Sequence, residues 1–108
     1  MQKLMYVEGL DGQVELTTDR VMIHRKGFFN IFKHGLGAHH EIPLSSISGI
    51  DFHDATMLTQ GYIDFDHPGK RGGKDADKDK VKFGKKHREQ FELLKEEIFR
   101  IIEEHSRH

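Results

Sequence analysis

The sequence predicts a mainly β domain of the α+β class, in which about six or seven short antiparallel strands are closed by one C-terminal helix. Three observations predict it. Apolar residues alternate with polar ones over much of residues 4–83, the period-2 signature of half-buried strands. Glycine, aspartate and serine fall between those runs, where turns belong. After Lys86 the apolar spacing changes to steps of three and four, the signature of an amphipathic helix.

Taken in order, Leu4–Glu8 is a compact apolar run, and Leu10-Asp11-Gly12 supplies the Asp-Gly pair of a tight hairpin turn. Val14 and Leu16 alternate with Gln13, Glu15 and Thr17. After a turn at Thr18-Asp19, Val21 and Ile23 alternate with Arg20, Met22 and His24. The result is a three-strand meander. Lys26-Gly27 breaks it, and Phe28, Phe29, Ile31 and Phe32 follow as a dense apolar cluster that must pack on something. Its pattern fits a strand, a helical turn or an irregular loop equally. Ile42-Pro43-Leu44 resumes extended structure, and proline, lacking a backbone donor, places it at an edge or a strand start. Ile47, Ile50 and Phe52 depart from clean alternation, which predicts a bulge near Gly49. Gly61-Tyr62-Ile63-Asp64-Phe65 and Lys80-Val81-Lys82-Phe83 are the last strands, separated by a polar loop. Phe91, Leu94, Ile98, Ile101, Ile102 and His105 then define a helix over about 86–105, with Leu93 and Phe99 widening its apolar side.

At 108 residues the chain is one domain, 1–108. The absence of cysteine excludes disulfides, thiolate metal sites and cysteine nucleophiles. No apolar run approaches a membrane span and no signal-peptide pattern opens the chain, so a cytoplasmic protein without an integral membrane segment is expected. The net charge of −1 conceals segregation: residues 70–88 hold nine bases and three acids, whereas both flanks are acidic.

Several of these pieces, in order, resemble bacterial pleckstrin-homology-like domains of unknown function. The run Gly12-Gln-Val-Glu-Leu-Thr-Thr-Asp-Arg-Val-Met-Ile-His-Arg-Lys-Gly27 is similar to their opening. Ile42-Pro43-Leu44-Ser45-Ser46-Ile47-Ser48-Gly49-Ile50 resembles their strand pair, and Gly61–Phe65 and Val81-Lys82-Phe83 resemble their later strands. Gln90-Phe91-Glu92-Leu93-Leu94-Lys95 looks like the start of their closing helix. The resemblance implies a partly open barrel of two nearly orthogonal antiparallel sheets, capped by the C-terminal helix. It implies little about function, since many bacterial members are of unknown role and several resemble oligomerisation or adaptor modules. Phosphoinositide-binding members of the wider superfamily carry bases around the first hairpin loop. Here that loop is Gly9-Leu10-Asp11-Gly12, with an acid and no base.

Two surfaces are candidates for function. Phe28, Phe29, Ile31, Phe32, Leu93 and Phe99 form a candidate protein interface, for self-association or a protein partner. Ordinary core filling accounts for the same residues. Lys78, Lys80, Lys82, Lys85, Lys86 and Arg88 form a candidate anion-binding patch for nucleic-acid phosphate or anionic lipid. Lysines guarding an edge strand against aggregation account for the same charges.

No catalytic residue, cofactor site or metal site is expected. Phosphate loops, nucleophile elbows and paired-carboxylate motifs are missing from the sequence. Asp75, Asp77 and Asp79 have calcium-loop spacing, but Lys80 and Lys86 stand where that loop needs glycine and glutamate. Local balancing by the interleaved lysines is expected there instead. The nine histidines show no metal-ligand spacing and are expected to be scattered over the surface. A site from His34, His39 and Asp54 could assemble only in space.

Overall fold

The computed structural model describes residues 3–25, 40–68 and 79–106. The Phe28–Phe32 cluster, Lys78, and Asp75 and Asp77 lie outside them.

Seven strands and one long helix form among the described residues, as the alternation and the late change of period require. Strands β1 (Lys3–Glu8), β2 (Gly12–Thr17), β3 (Arg20–Arg25) and β4 (His40–Pro43) make one antiparallel sheet in that order. Strands β5 (Gly49–His53), β6 (Gly61–Asp66) and β7 (Lys80–Phe83) make a second. The two sheets do not close on each other by a continuous ladder, and the helix α1 (Arg88–Ser106) follows the second. This is the α+β, mainly β layout expected from the sequence.

One apolar cluster runs through both sheets and the helix. Val14, Leu16, Val21, Ile23 and Ile42 fill it from the first sheet, and Ile63, Phe65, Val81 and Phe83 from the second. Phe91, Leu94, Ile98 and Ile101 enter from α1 at helical spacing. Phe91 lies flat on Phe83, with ring centroids 4.3 Å apart and planes 10° apart, so this stack joins the helix to the second sheet.

Local chemistry fixes the turns. Thr17 is buried, and its hydroxyl accepts from the Arg20 amide at 3.1 Å while donating to Asp19 at 3.0 Å. The Arg20 guanidinium first, and then the Thr17 hydroxyl, hold the Asp19 carboxyl below its ordinary pKa. The β1–β2 connection is wider than the tight turn expected from Asp-Gly. Glu8 pairs with Gln13, the Gly9 amide donates to the Gly12 carbonyl at 2.7 Å, and neither glycine has positive φ. Gly12 is needed instead for close approach, since a Cβ there would meet the His24 carbonyl oxygen at 2.8 Å. Asp11 turns outward to β7, where it accepts from the Lys82 amide at 2.9 Å, and Leu10 donates to the Lys82 carbonyl at 2.7 Å.

The expected bulge at Gly49 does not form. The β5–β6 register runs unbroken from Gly49 opposite Asp66 to His53 opposite Tyr62. Ile47 is a core residue in the connection before β5, which is why the alternation looked broken. The register shift lies in β1, between Lys3 and Met5. Pro43 sits on the edge strand β4, as its missing donor requires, but at that strand's end. His105 is exposed rather than part of the helix's buried stripe.

Candidate functional site

The outward face of the second sheet places Lys80 and Lys82 side by side on β7, one of its edge strands. Neighbours answer the charge of Lys80. Asp64 stands opposite Lys80 in the ladder, and the Lys80 ammonium lies 4.6 Å from the centre of the Tyr62 ring. Tyr62 donates to Asp51 at 3.3 Å and stacks on His53, and the Asp51 charge is the first cause raising the Tyr62 pKa. Arg88 is also engaged, at 3.0 Å from Asp54 and 3.2 Å from Glu92. The hydrogen bond to Glu92, followed by the Asp54 charge, holds its pKa above the ordinary value. Of the candidate anion-binding residues, Lys82, Lys85 and Lys86 therefore carry the exposed positive charge among the described residues, and Lys85 and Lys86 sit in a single 3-10 turn before α1.

Leu93 and Phe99 are about half exposed, at 52% and 46%, as their place outside the buried stripe implies. Six positions at about 100° per residue put them some 120° apart around the axis. They flank the stripe on opposite sides and do not make one patch.

Among the described residues, the most exposed large apolar side chains lie elsewhere. Residues 54–60 connect β5 to β6 through a turn built by two threonines. The Thr56 amide donates to the Thr59 carbonyl at 2.9 Å, and the Thr56 hydroxyl accepts from the amides of Leu58 at 3.2 Å and Thr59 at 3.0 Å. Between the threonines, Met57 and Leu58 stand 83% and 94% exposed. They share a shallow hollow of about 490 Å³ with Leu10, Gly84 and Lys85. The signal in the sequence was two large apolar residues framed by turn-forming threonines inside a polar connection, a pattern that core filling does not explain.

A second site assembles from three strand ends. His40 opens β4, His67 directly follows β6, and Asp79 directly precedes β7. His40 Nε2 lies 2.5 Å from Asp79 Oδ1 in a hydrogen bond, and His67 Nε2 lies 3.0 Å from the same oxygen. The two imidazole rings are 6.1 Å apart and tilted by 45°. The Asp79 side chain is only 3% exposed. His67 Nε2 is itself buried and, despite the short distance, lacks the angle for a hydrogen bond to Asp79. The expected surface scatter of histidines thus describes His53 and His105 but not His40 and His67, nor His24, which is buried with Nε2 3.3 Å from Glu15. Asp79 is likewise no solvated partner of neighbouring lysines. The segment read as a polar loop thus ends on a buried carboxylate.

Comparison of the chain with protein-family models, with curated proteins and with solved structures finds no match. Among the described residues, no helix is long and apolar enough to cross a membrane.

Proposed function

We propose that this chain is a pleckstrin-homology-like, non-enzymatic interaction domain that works through protein contacts, self-association among them. The observation that carries this reading is the Met57-Leu58 turn. A hydrogen-bonded frame holds two large apolar side chains in water beside Leu10. Burying one such side chain is worth about 1.5–3 kcal/mol, so a partner covering both gains substantially. The frame is already ordered, so little entropy is lost on docking. The four-plus-three sheet layout with its closing helix is the fold class that this reading requires.

The test is solution mass by light scattering at about 0.1 M and 0.5 M salt, a range that separates charge from apolar contact. The expected result is a species heavier than the 12.6 kDa monomer at both salts. Replacing Met57 and Leu58 together by serine returns it to monomer with its circular dichroism spectrum unchanged. A monomer at both salts removes self-association. A wild-type oligomer that the double variant leaves intact removes the turn. The exposed Lys82, Lys85 and Lys86 favour a second reading, an anion-binding module for nucleic-acid phosphate or anionic lipid. A salt-sensitive gain of mass on heparin or on anionic vesicles would favour that reading over the first.

A further inference from the structure

We propose that His40, His67 and Asp79 form a binding site for one divalent first-row transition-metal ion, held by the two Nε2 atoms and an Asp79 carboxylate oxygen. Three side chains from three separate strand ends converge on one point, with all three ligand atoms within 4.8 Å of one another. His40 is the first residue of β4 in the first sheet, and His67 and Asp79 flank β6 and β7 of the second, so the site lies between the two sheets.

Burial supplies the reason for a cation. A carboxylate nearly removed from water is costly unless a charge balances it. Among the described residues, the groups within ion-pair distance of Asp79 are these two imidazoles, neither of which is a permanent cation. His67 adds an independent observation: a buried ring nitrogen with no hydrogen bond among the described residues. A nitrogen in that position is satisfied by a bond to a metal.

The geometry is close to what such an ion needs. Bonds of about 2.0–2.2 Å at tetrahedral angles place ligand atoms roughly 3.3 Å apart. The observed 2.5 Å and 3.0 Å separations reach that value by side-chain movements of under about 1 Å. Two imidazoles and one carboxylate suit zinc and its neighbours, whereas calcium and magnesium prefer all-oxygen shells. Three protein ligands leave a position for water, and the His40 side chain, 26% exposed, opens that side to solvent. Because the ligands come from both sheets, the bound ion would also pin one sheet to the other.

The test uses the full chain without a histidine tag, treated with EDTA and titrated with Zn2+ by calorimetry. Co2+ absorption reports the ligand geometry, and Ca2+ and Mg2+ serve as separate arms. One equivalent of Zn2+ is expected, raising the melting midpoint by about 10 °C or more at a hundredfold excess over Kd. His40→Gln and His67→Gln should each weaken binding by about 100-fold or more, since each removes a direct ligand. His53→Gln, which alters an exposed imidazole stacked on Tyr62, should leave it unchanged. If His67→Gln fails to fold by circular dichroism, the more exposed His40→Gln and the wild-type titration decide. A folded wild type that takes up no stoichiometric Zn2+ overturns the proposal. So does binding that survives His40→Gln, which would be uptake by surface histidines, or equal affinity for Ca2+.

Discussion

Replacing Phe91 by alanine is expected to cost about 3–5 kcal/mol of folding stability, the range for removing a buried aromatic ring. Phe91 is fully buried and lies flat on Phe83, which in turn packs 5.6 Å from Phe52. The substitution therefore empties the place where α1 is fastened to the second sheet. Against a total of about 5–15 kcal/mol for a typical domain, the loss leaves the fold near its threshold. Urea unfolding followed by circular dichroism measures it. The control is Phe99→Ala on the same helix. That ring is 46% exposed, and its removal should change stability by no more than about 0.5 kcal/mol. Equal losses at the two positions would mean that the stack does not hold the helix.

Gly61→Ala should be nearly as damaging for the opposite reason. A Cβ at Gly61 would lie 2.4 Å from the His53 carbonyl oxygen, 2.6 Å from the Ala55 amide nitrogen and 2.8 Å from the Phe83 ring. Two of those atoms are backbone and cannot rotate away, so β6 must shift from β5. The expected cost is about 3 kcal/mol, at the upper end for overpacking. Gly49→Ala, on the partner strand, is the comparison. The nearest atom to its Cβ is an Asp66 side-chain oxygen at 3.8 Å, and its φ is not positive. Loss of glycine's freedom in the unfolded chain should make that variant neutral or stabilised by up to about 1 kcal/mol. A thermal melt of the two variants side by side decides, and an unchanged midpoint for Gly61→Ala would refute the close approach.

Period made much of the fold legible. The meander through Arg25 and the stripe Phe91, Leu94, Ile98 and Ile101 declare themselves by repeating every two or every three to four residues, and burial follows those repeats. Gly61 was legible as the start of a strand, but its steric role was not, because the atoms it must avoid come from β5, the connection just after it and β7. The Gly49 bulge misled for a similar reason, since a core residue outside a strand interrupts the alternation as a bulge would. Lys80 and Lys82 were readable as a stripe, whereas Tyr62 and Asp64, which answer Lys80, are set by register across the ladder. His40, His67 and Asp79 are separated by 27 and 12 residues. No spacing rule joins them, and only the pairing of strands into two sheets brings them together.

The contact of the first turn with β7 bears on how the chain reaches this structure. Leu10 and Asp11 bond to Lys82 across some 71 positions of sequence. Closing a loop of that length costs entropy before it returns any contact, so those bonds belong to the end of folding rather than its start. The β1–β2–β3 meander, built from neighbouring segments, can form early. The seam between the sheets is thus expected to form late, and by the same energetics to be the place where the native molecule opens transiently without unfolding as a whole.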